Sequence, residues 1–215
     1  MNIRAVIFDV GETLVDETRQ WSRWAERLGI PKFTFFATFG ALIERGEHHR
    51  KIFDAFGFDY SDLTTVRNGN DDGQGHIIEV GDFYPDALSA LAALKASGFI
   101  VGIAGNQPES AELALLNCGV DVDFIASSAR WGVEKPSPAF FELAIQASGC
   151  HPNEIAYVGD RIDNDIGPAH AAGMHPIFLL RGPWAFIHAH RLDVRKFPSR
   201  IHSLAELPTF LSRLN

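Results

Sequence analysis

The stretch AVIFDVGETL, residues 5–14, decides how this chain folds. Four apolar residues, Ala5 to Phe8, run without a polar break into Asp9 and Gly11. An unbroken apolar run of this length reads as a strand buried on both faces, as in a parallel sheet, and the polar residues after it read as the loop at its carboxyl end. Similar runs recur at 100–104, 124–126, 155–158 and 176–180. Between them lie helical patterns at 85–97, 138–148 and 166–172, each followed by a glycine (Gly98, Gly149, Gly173) suited to the left-handed residue that ends a helix. Ser137 and Pro138 read as N-cap and first residue of the second helix. Ser203 and Glu206 have capping-box spacing, with Pro208 dividing that segment into a turn and a short last helix. Strands alternating with helices imply right-handed crossovers and an α/β fold whose ligands bind beyond the carboxyl ends of the strands.

Residues 15–81 break the rhythm. They hold no buried strand but three amphipathic segments, 20–28, 33–45 and 48–56, so they read as a helical insertion whose core is Trp21, Trp24, Leu28, Phe35, Phe36 and Phe39. NGNDDGQGHIIE, 68–79, approaches a calcium-loop pattern. Asn68 in the first ligand position, Gly75 after the turn and the absence of an exiting helix argue instead for a solvated hinge.

The 215 residues are 46% hydrophobic and 21% charged, which fits a globular protein with a full core. A net charge of −8 with scattered Arg and Lys argues against a nucleic-acid partner. No apolar run reaches bilayer length and the first residues show no signal-peptide pattern, so a cytoplasmic protein without a membrane partner is expected. Cys118 and Cys150 have no metal or disulfide spacing.

Asp9, Lys135 and the pair Asp160/Asp165 follow runs that a parallel sheet brings together. Gathered carboxylates repel one another and lose hydration, so Asp9, Asp160 and Asp165 call for a cation. An all-oxygen donor set favours magnesium.

FDVGETL (8–14), GVEKPSPAFF (132–141) and YVGDRIDNDIGPAHAAGM (157–174) resemble the first, third and fourth motifs of the haloacid dehalogenase superfamily, in the correct order. The resemblance implies a Rossmann-like parallel-sheet core, 1–14 and 82–215, with an inserted helical C1-type cap at 15–81. It implies Asp9 as nucleophile and magnesium held by Asp9, the Gly11 carbonyl and Asp160, with Asp165 as ligand or directly behind them. Lys135 supplies a second positive charge. The implied reaction is hydrolysis of a small phosphorylated metabolite through an aspartyl phosphate, with the cap selecting substrate.

Two positions depart from the pattern. Gly11 stands where phosphatases of this superfamily carry a second Asp, the acid and base of the reaction, worth about 10² to 10⁴ in rate. Gly105, in GIAGNQ, stands where the second motif has Ser or Thr, leaving backbone N–H groups and the Asn106 side chain to hold phosphate. The missing proton transfer has three readings: Glu12, a residue of the insertion such as Glu44, His48 or His49, or a leaving group that needs no proton, as in an acyl phosphate or a halide. Halide displacement belongs to 2-haloacid dehalogenases, and a non-catalytic binding or regulatory protein is the third class. The metal-binding form of GDRIDND favours phosphoryl transfer. Arg161 reads as a solvated side chain and Asp163 as a loop residue without an obligatory role.

Overall fold

The computed structural model describes residues 2–60, 78–190, 197 and 199–214. Six strands form one all-parallel sheet: β1 (Ala5–Phe8), β2 (Ile100–Gly105), β3 (Phe124–Ser127), β4 (Ile155–Gly159), β5 (His175–Leu179) and β6 (Arg200–Ile201). Their order is β3-β2-β1-β4-β5-β6. The chain first builds outward from β1 to β3, then crosses to the other side of β1 to lay down β4. The order therefore reverses between β1 and β4, where open α/β sheets form a crevice at the carboxyl ends of the strands.

Alternate residues of each strand serve opposite faces. Val6, Phe8, Val101, Ile103, Ala156 and Val158 enter one core with α4 (Ala87–Ala96), α5 (Glu109–Asn117) and the final helix. Ala5, Ile7, Ala104, Ile155 and Tyr157 enter the other with α7 (Pro138–Ser148) and α8 (Gly167–Ala171). Every residue of β1 and β4 is buried, the two-sided covering that makes a parallel strand read as a continuous apolar run. Two short helices, α6 (Ser128–Trp131) and α9 (Gly182–His188), and a last one, α10 (Leu207–Leu214), complete this part.

The chain divides into two compact units, Met1–Asp16 with His76–Asn215, and Glu17–Gly75. Val15 bridges Phe83 and the Asp16 N–H donates to the Asp82 carbonyl, which ties the end of the first segment to the sheet unit. The second unit contains α1 (Thr18–Arg27), α2 (Lys32–Glu44) and α3 (Lys51–Ala55). Its centre is aromatic: Trp21 packs on Phe39 at 4.5 Å between ring centroids and Trp24 on Phe53 at 4.9 Å. The stretch 68–79, read as a hinge, lies outside the described residues except for Ile78 and Glu79.

Gly98, Gly149 and Gly173 all have positive φ, as helix-ending residues. Ser137 sits at the N-cap with Pro138 in the first turn, but its side chain makes no capping bond, so Pro138 alone carries that start signal. Ser203 and Glu206 form the expected reciprocal box around a 3₁₀ turn, with the last helix following it. Helix α5, strand β6 and helix α9 are among the elements that escape the periodicity. Helix α5 buries Ala111 and Leu115 but leaves Leu113 62% and Leu116 55% exposed, which blurs its apolar face. β6 has two residues, too few for a pattern, and α9 begins with Gly182-Pro183, which reads as a turn.

Candidate active site

Asp9 directly follows β1 and Asp160 directly follows β4, so the reversal of strand order sets the two carboxylates side by side. Asp165 joins them from a π-helical turn, Ile162–Ile166, that directly follows β4. Ligand-capable oxygens of the three lie within 4.8 Å of one another, and all three residues are buried. Lys135 reaches in from the loop before α7, its Nζ donating to Asp9 Oδ1 at 2.6 Å and to Asp165 Oδ1 at 2.7 Å. The Lys135–Pro136 peptide bond is cis.

Three carboxylates and one ammonium leave the cluster short of positive charge. Burial pushes the Asp160 carboxyl well above the usual aspartate range, and the charges of Asp165, Asp9 and Glu12 push the same way. Burial raises Asp165 to about 6 against the opposing pull of Lys135. Burial alone would lower the Lys135 ammonium, but the charges of Asp165 and Asp9 outweigh it and hold the group protonated. Among the described residues, Asp160 Oδ2 is buried without a hydrogen-bond partner. A buried carboxylate oxygen without a donor costs free energy unless a cation faces it. This all-oxygen donor set therefore fits a hard divalent ion.

Two glycines make room for these groups. A Cβ on Gly105 would stand 2.8 Å from Asp9 Oδ1, and one on Gly159 2.5 Å from Asp165 Oδ2. The absence of a Ser or Thr side chain at Gly105 is thus matched by close packing of Asp9 and Val10 against β2. Asn106 does not extend a free amide. Its Nδ2 donates to the Lys135 carbonyl at 2.9 Å and its Oδ1 accepts from the Lys135 N–H at 2.7 Å, clamping the backbone of the lysine.

Glu12 has a left-handed backbone, φ 53°, and is buried. The Tyr84 hydroxyl donates to Glu12 Oε2 at 2.6 Å, and burial followed by the Glu12 charge raises that phenol above its usual range. The Arg181 guanidinium lies over the Tyr84 ring at 4.1 Å, donates to the Thr13 carbonyl at 2.9 Å, and makes two bonds to Asp86 at 2.7 and 2.6 Å. Asp86 in turn accepts from the Ser203 hydroxyl and the Leu204 N–H. A polar chain therefore links the loop after Asp9 to the last strand and helix. Tyr84, Asp86 and Arg181 carried no motif, although Arg181 directly follows the apolar run of β5, where a parallel sheet places functional side chains.

Arg161 is not a solvated side chain. It lies over the Trp184 ring at 5.1 Å and pairs with Asp163 at 2.7 Å, while its backbone N–H donates to Asp165 Oδ2 at 3.1 Å. Asp163 thus has a partner within the turn. Glu44 and His48 are exposed on the second unit, and the His49 ring rests against Trp21 at 5.8 Å.

Residues 3–173 match the family model of haloacid dehalogenase-like hydrolases. A glyceraldehyde 3-phosphate phosphatase from Methanopyrus kandleri is 37% identical over 108 residues, 47% of this chain and 45% of that protein. An (S)-2-haloacid dehalogenase from Burkholderia cepacia is 32% identical over 133 residues, 60% of this chain and 55% of that protein. The chain thus spans about half the length of the curated relatives it matches. A magnesium-bound HAD-hydrolase from Bacillus subtilis superimposes with a TM-score of 0.69 at 18% identity, covering 98% of this chain and 99% of that one. Among the described residues no helix is long and apolar enough to cross a membrane.

Proposed function

The chain belongs to the haloacid dehalogenase-like hydrolases, and from that premise we propose that it is a magnesium-dependent phosphatase of small phosphorylated metabolites. The observation that carries this reading is the buried cluster of Asp9, Asp160 and Asp165, with the unpartnered Asp160 Oδ2 inside it. Asp9, the Gly11 carbonyl and Asp160 would hold the ion, with Asp165 beside them. When bound, magnesium would screen the charge between an anionic nucleophile and an anionic phosphoryl group and stabilise charge that develops on transfer.

Asp9 attacks phosphorus, the bond to the leaving group breaks, and water later releases phosphate from the aspartyl phosphate. Lys135 holds Asp9 in line and meets the phosphoryl oxygens with its ammonium. Backbone N–H groups at Gly105 and Asn106 complete the phosphate cradle, and Asn106 keeps Lys135 in place. The insertion at 15–81 would act as the cap that selects substrate and excludes bulk water. Gly11 replaces the acid–base Asp of related phosphatases, so proton transfer is the step this site does least to assist.

The test is a panel of phosphorylated metabolites, alkyl and acyl phosphates included, assayed with magnesium or with EDTA, with Asp9→Asn as control. Turnover that needs magnesium and disappears in Asp9→Asn is expected. Turnover unaffected by EDTA or by the substitution overturns the reading. The similarity to haloacid dehalogenases supports a second reading, displacement of halide by Asp9 without metal. Chloride release from 2-haloacids in EDTA would establish it.

A further inference from the structure

Strand β4 reads IAYVG and is buried along its whole length, and the one polar side chain in it is that of Tyr157. A buried hydroxyl costs free energy unless it is bonded, and Phe would fill nearly the same space without that demand. Resting on the phosphoryl-transfer reading of Asp9, we propose that Tyr157 is a positioning residue for Lys135. Its ring backs the ammonium and its hydroxyl ties that ring to the end of β2, so that the lysine stays aimed at the phosphoryl group during transfer.

The hydroxyl is placed by the sheet. Tyr157 stands opposite Ile7 of β1, which in turn stands opposite Gly102 of β2. From β4 the side chain therefore crosses β1, and it donates to the Ala104 carbonyl at 2.9 Å. The pairing of β1 with β2 runs out one residue earlier, at Phe8 and Ile103. The hydroxyl thus fastens β2 where its ladder to β1 has ended. Next in the chain come Gly105, whose bare Cα lets Asp9 Oδ1 approach, and Asn106, which grips the Lys135 backbone.

The ring is placed by its neighbours. Lys135 Nζ lies 5.8 Å from the centre of the Tyr157 ring and 5.9 Å from that of Phe140, within reach of cation–π attraction. Phe141 braces both rings, packing on Tyr157 at 5.3 Å and on Phe140 at 5.5 Å. Burial lifts the Tyr157 hydroxyl well above its usual range against the pull of the Lys135 charge, so the phenol stays a neutral donor. A lysine head sits on a flexible four-carbon stem. Held only by Asp9 and Asp165, Nζ would be free to follow either carboxylate when Asp9 turns toward phosphorus. The aromatic wall behind it blocks that retreat. Two of its three N–H groups go to the carboxylates, which leaves the third for a phosphoryl oxygen.

The experiment uses the full chain with magnesium, p-nitrophenyl phosphate as donor, and two inhibitors. Orthovanadate takes the five-coordinate geometry of a phosphoryl group in transfer, and inorganic phosphate does not. Tyr157→Phe keeps the ring and removes the hydroxyl. Expected are a fall in kcat of about tenfold with KM changed less than about threefold, and a fall in vanadate affinity of about tenfold with phosphate affinity changed less than about threefold. A tyrosine that only fills the core would lower the melting temperature and move none of these. In a Lys135→Met background, Tyr157→Phe should change vanadate affinity, measured by calorimetry, no further, because the group it acts through is gone. Unchanged kcat and vanadate affinity in Tyr157→Phe overturn the proposal, and so does an equal loss of vanadate affinity with and without Lys135. Phe140→Leu leaves the hydroxyl in place and reads the wall should Tyr157→Phe fail to fold; unchanged vanadate affinity there is the overturning result. Absence of turnover by wild type with p-nitrophenyl phosphate and with every donor of the panel overturns phosphoryl transfer itself, and this proposal with it.

Discussion

Asn106→Ala separates a clamp on Lys135 from a phosphate donor. The substitution removes the bond to the Lys135 carbonyl at 2.9 Å and the bond from its N–H at 2.7 Å. A net contribution of about 0.5–1.5 kcal/mol for each bond applies, and because Asn106 itself is exposed the lower half of that range holds, about 1–2 kcal/mol in total. At about 2–4 °C per kcal/mol for a domain of this size, the melting temperature falls by about 2–8 °C. Kinetically, the ammonium sits 2.6 Å from Asp9 only while its backbone is held. A displacement near about 1 Å costs up to about 10²-fold in rate, so kcat falls by about 10 to 10² with KM changed less than about threefold. Thermal denaturation and steady-state kinetics on one preparation read both. If the variant melts with wild type while KM alone rises, Asn106 is a donor to substrate and the clamp carries no weight.

Gly105→Ala drives a methyl group to 2.8 Å from Asp9 Oδ1, so activity should fall by about 10² while the denaturation midpoint shifts less than in Asn106→Ala; unchanged activity would refute the close packing. The Asp165 carboxyl is raised to about 6 by burial, so the metal-free protein binds more protons folded than unfolded and loses stability as pH rises toward that value. Magnesium competes with those protons and should raise the melting temperature more at about pH 7.5 than at about pH 5; the reverse order would remove the carboxylate cluster as its site. Burial raises the Asp86 carboxyl, but the bonds from Ser203 and Arg181 and the charge of Arg181 outweigh it and bring it below its usual value. This group stabilises the fold above the ordinary aspartate range and ceases to do so as pH falls through its folded pKa. The stability gap between wild type and Asp86→Asn, measured in urea, should therefore narrow from about pH 5 to about pH 2. A constant gap would argue that Asp86 acts through packing.

The parallel core was legible because its strands are buried on both faces and its carboxylates follow strands that the topology gathers. Asp9, Asp160, Asp165 and Lys135 come together as their positions implied. What stayed hidden is interaction across long sequence distance. Asn106 carries an amide that could bind a ligand or a backbone equally well, and only the loop 29 residues later decides between them. Tyr84, Asp86 and Arg181 belong to no motif, since each is defined by a partner on another element. Helix α5 was obscured by Leu113 and Leu116 on its outer face, and the direction of Glu12 by a left-handed backbone that simple strand alternation does not anticipate.

The place of β1 between β2 and β4 also sets a timetable for synthesis. The strand that leads into Asp9 leaves the ribosome before either neighbour, and β4, which leads into Asp160, begins only at Ile155. At about 5–20 residues per second the interval is roughly 7–30 seconds, and for all of it the β1 edge that takes β4 has no strand to pair with, although β2 emerges earlier to cover the other edge. Aggregation or chaperone binding during this wait would be centred on AVIF, and Asp9 is made long before the carboxylates it meets in the folded sheet.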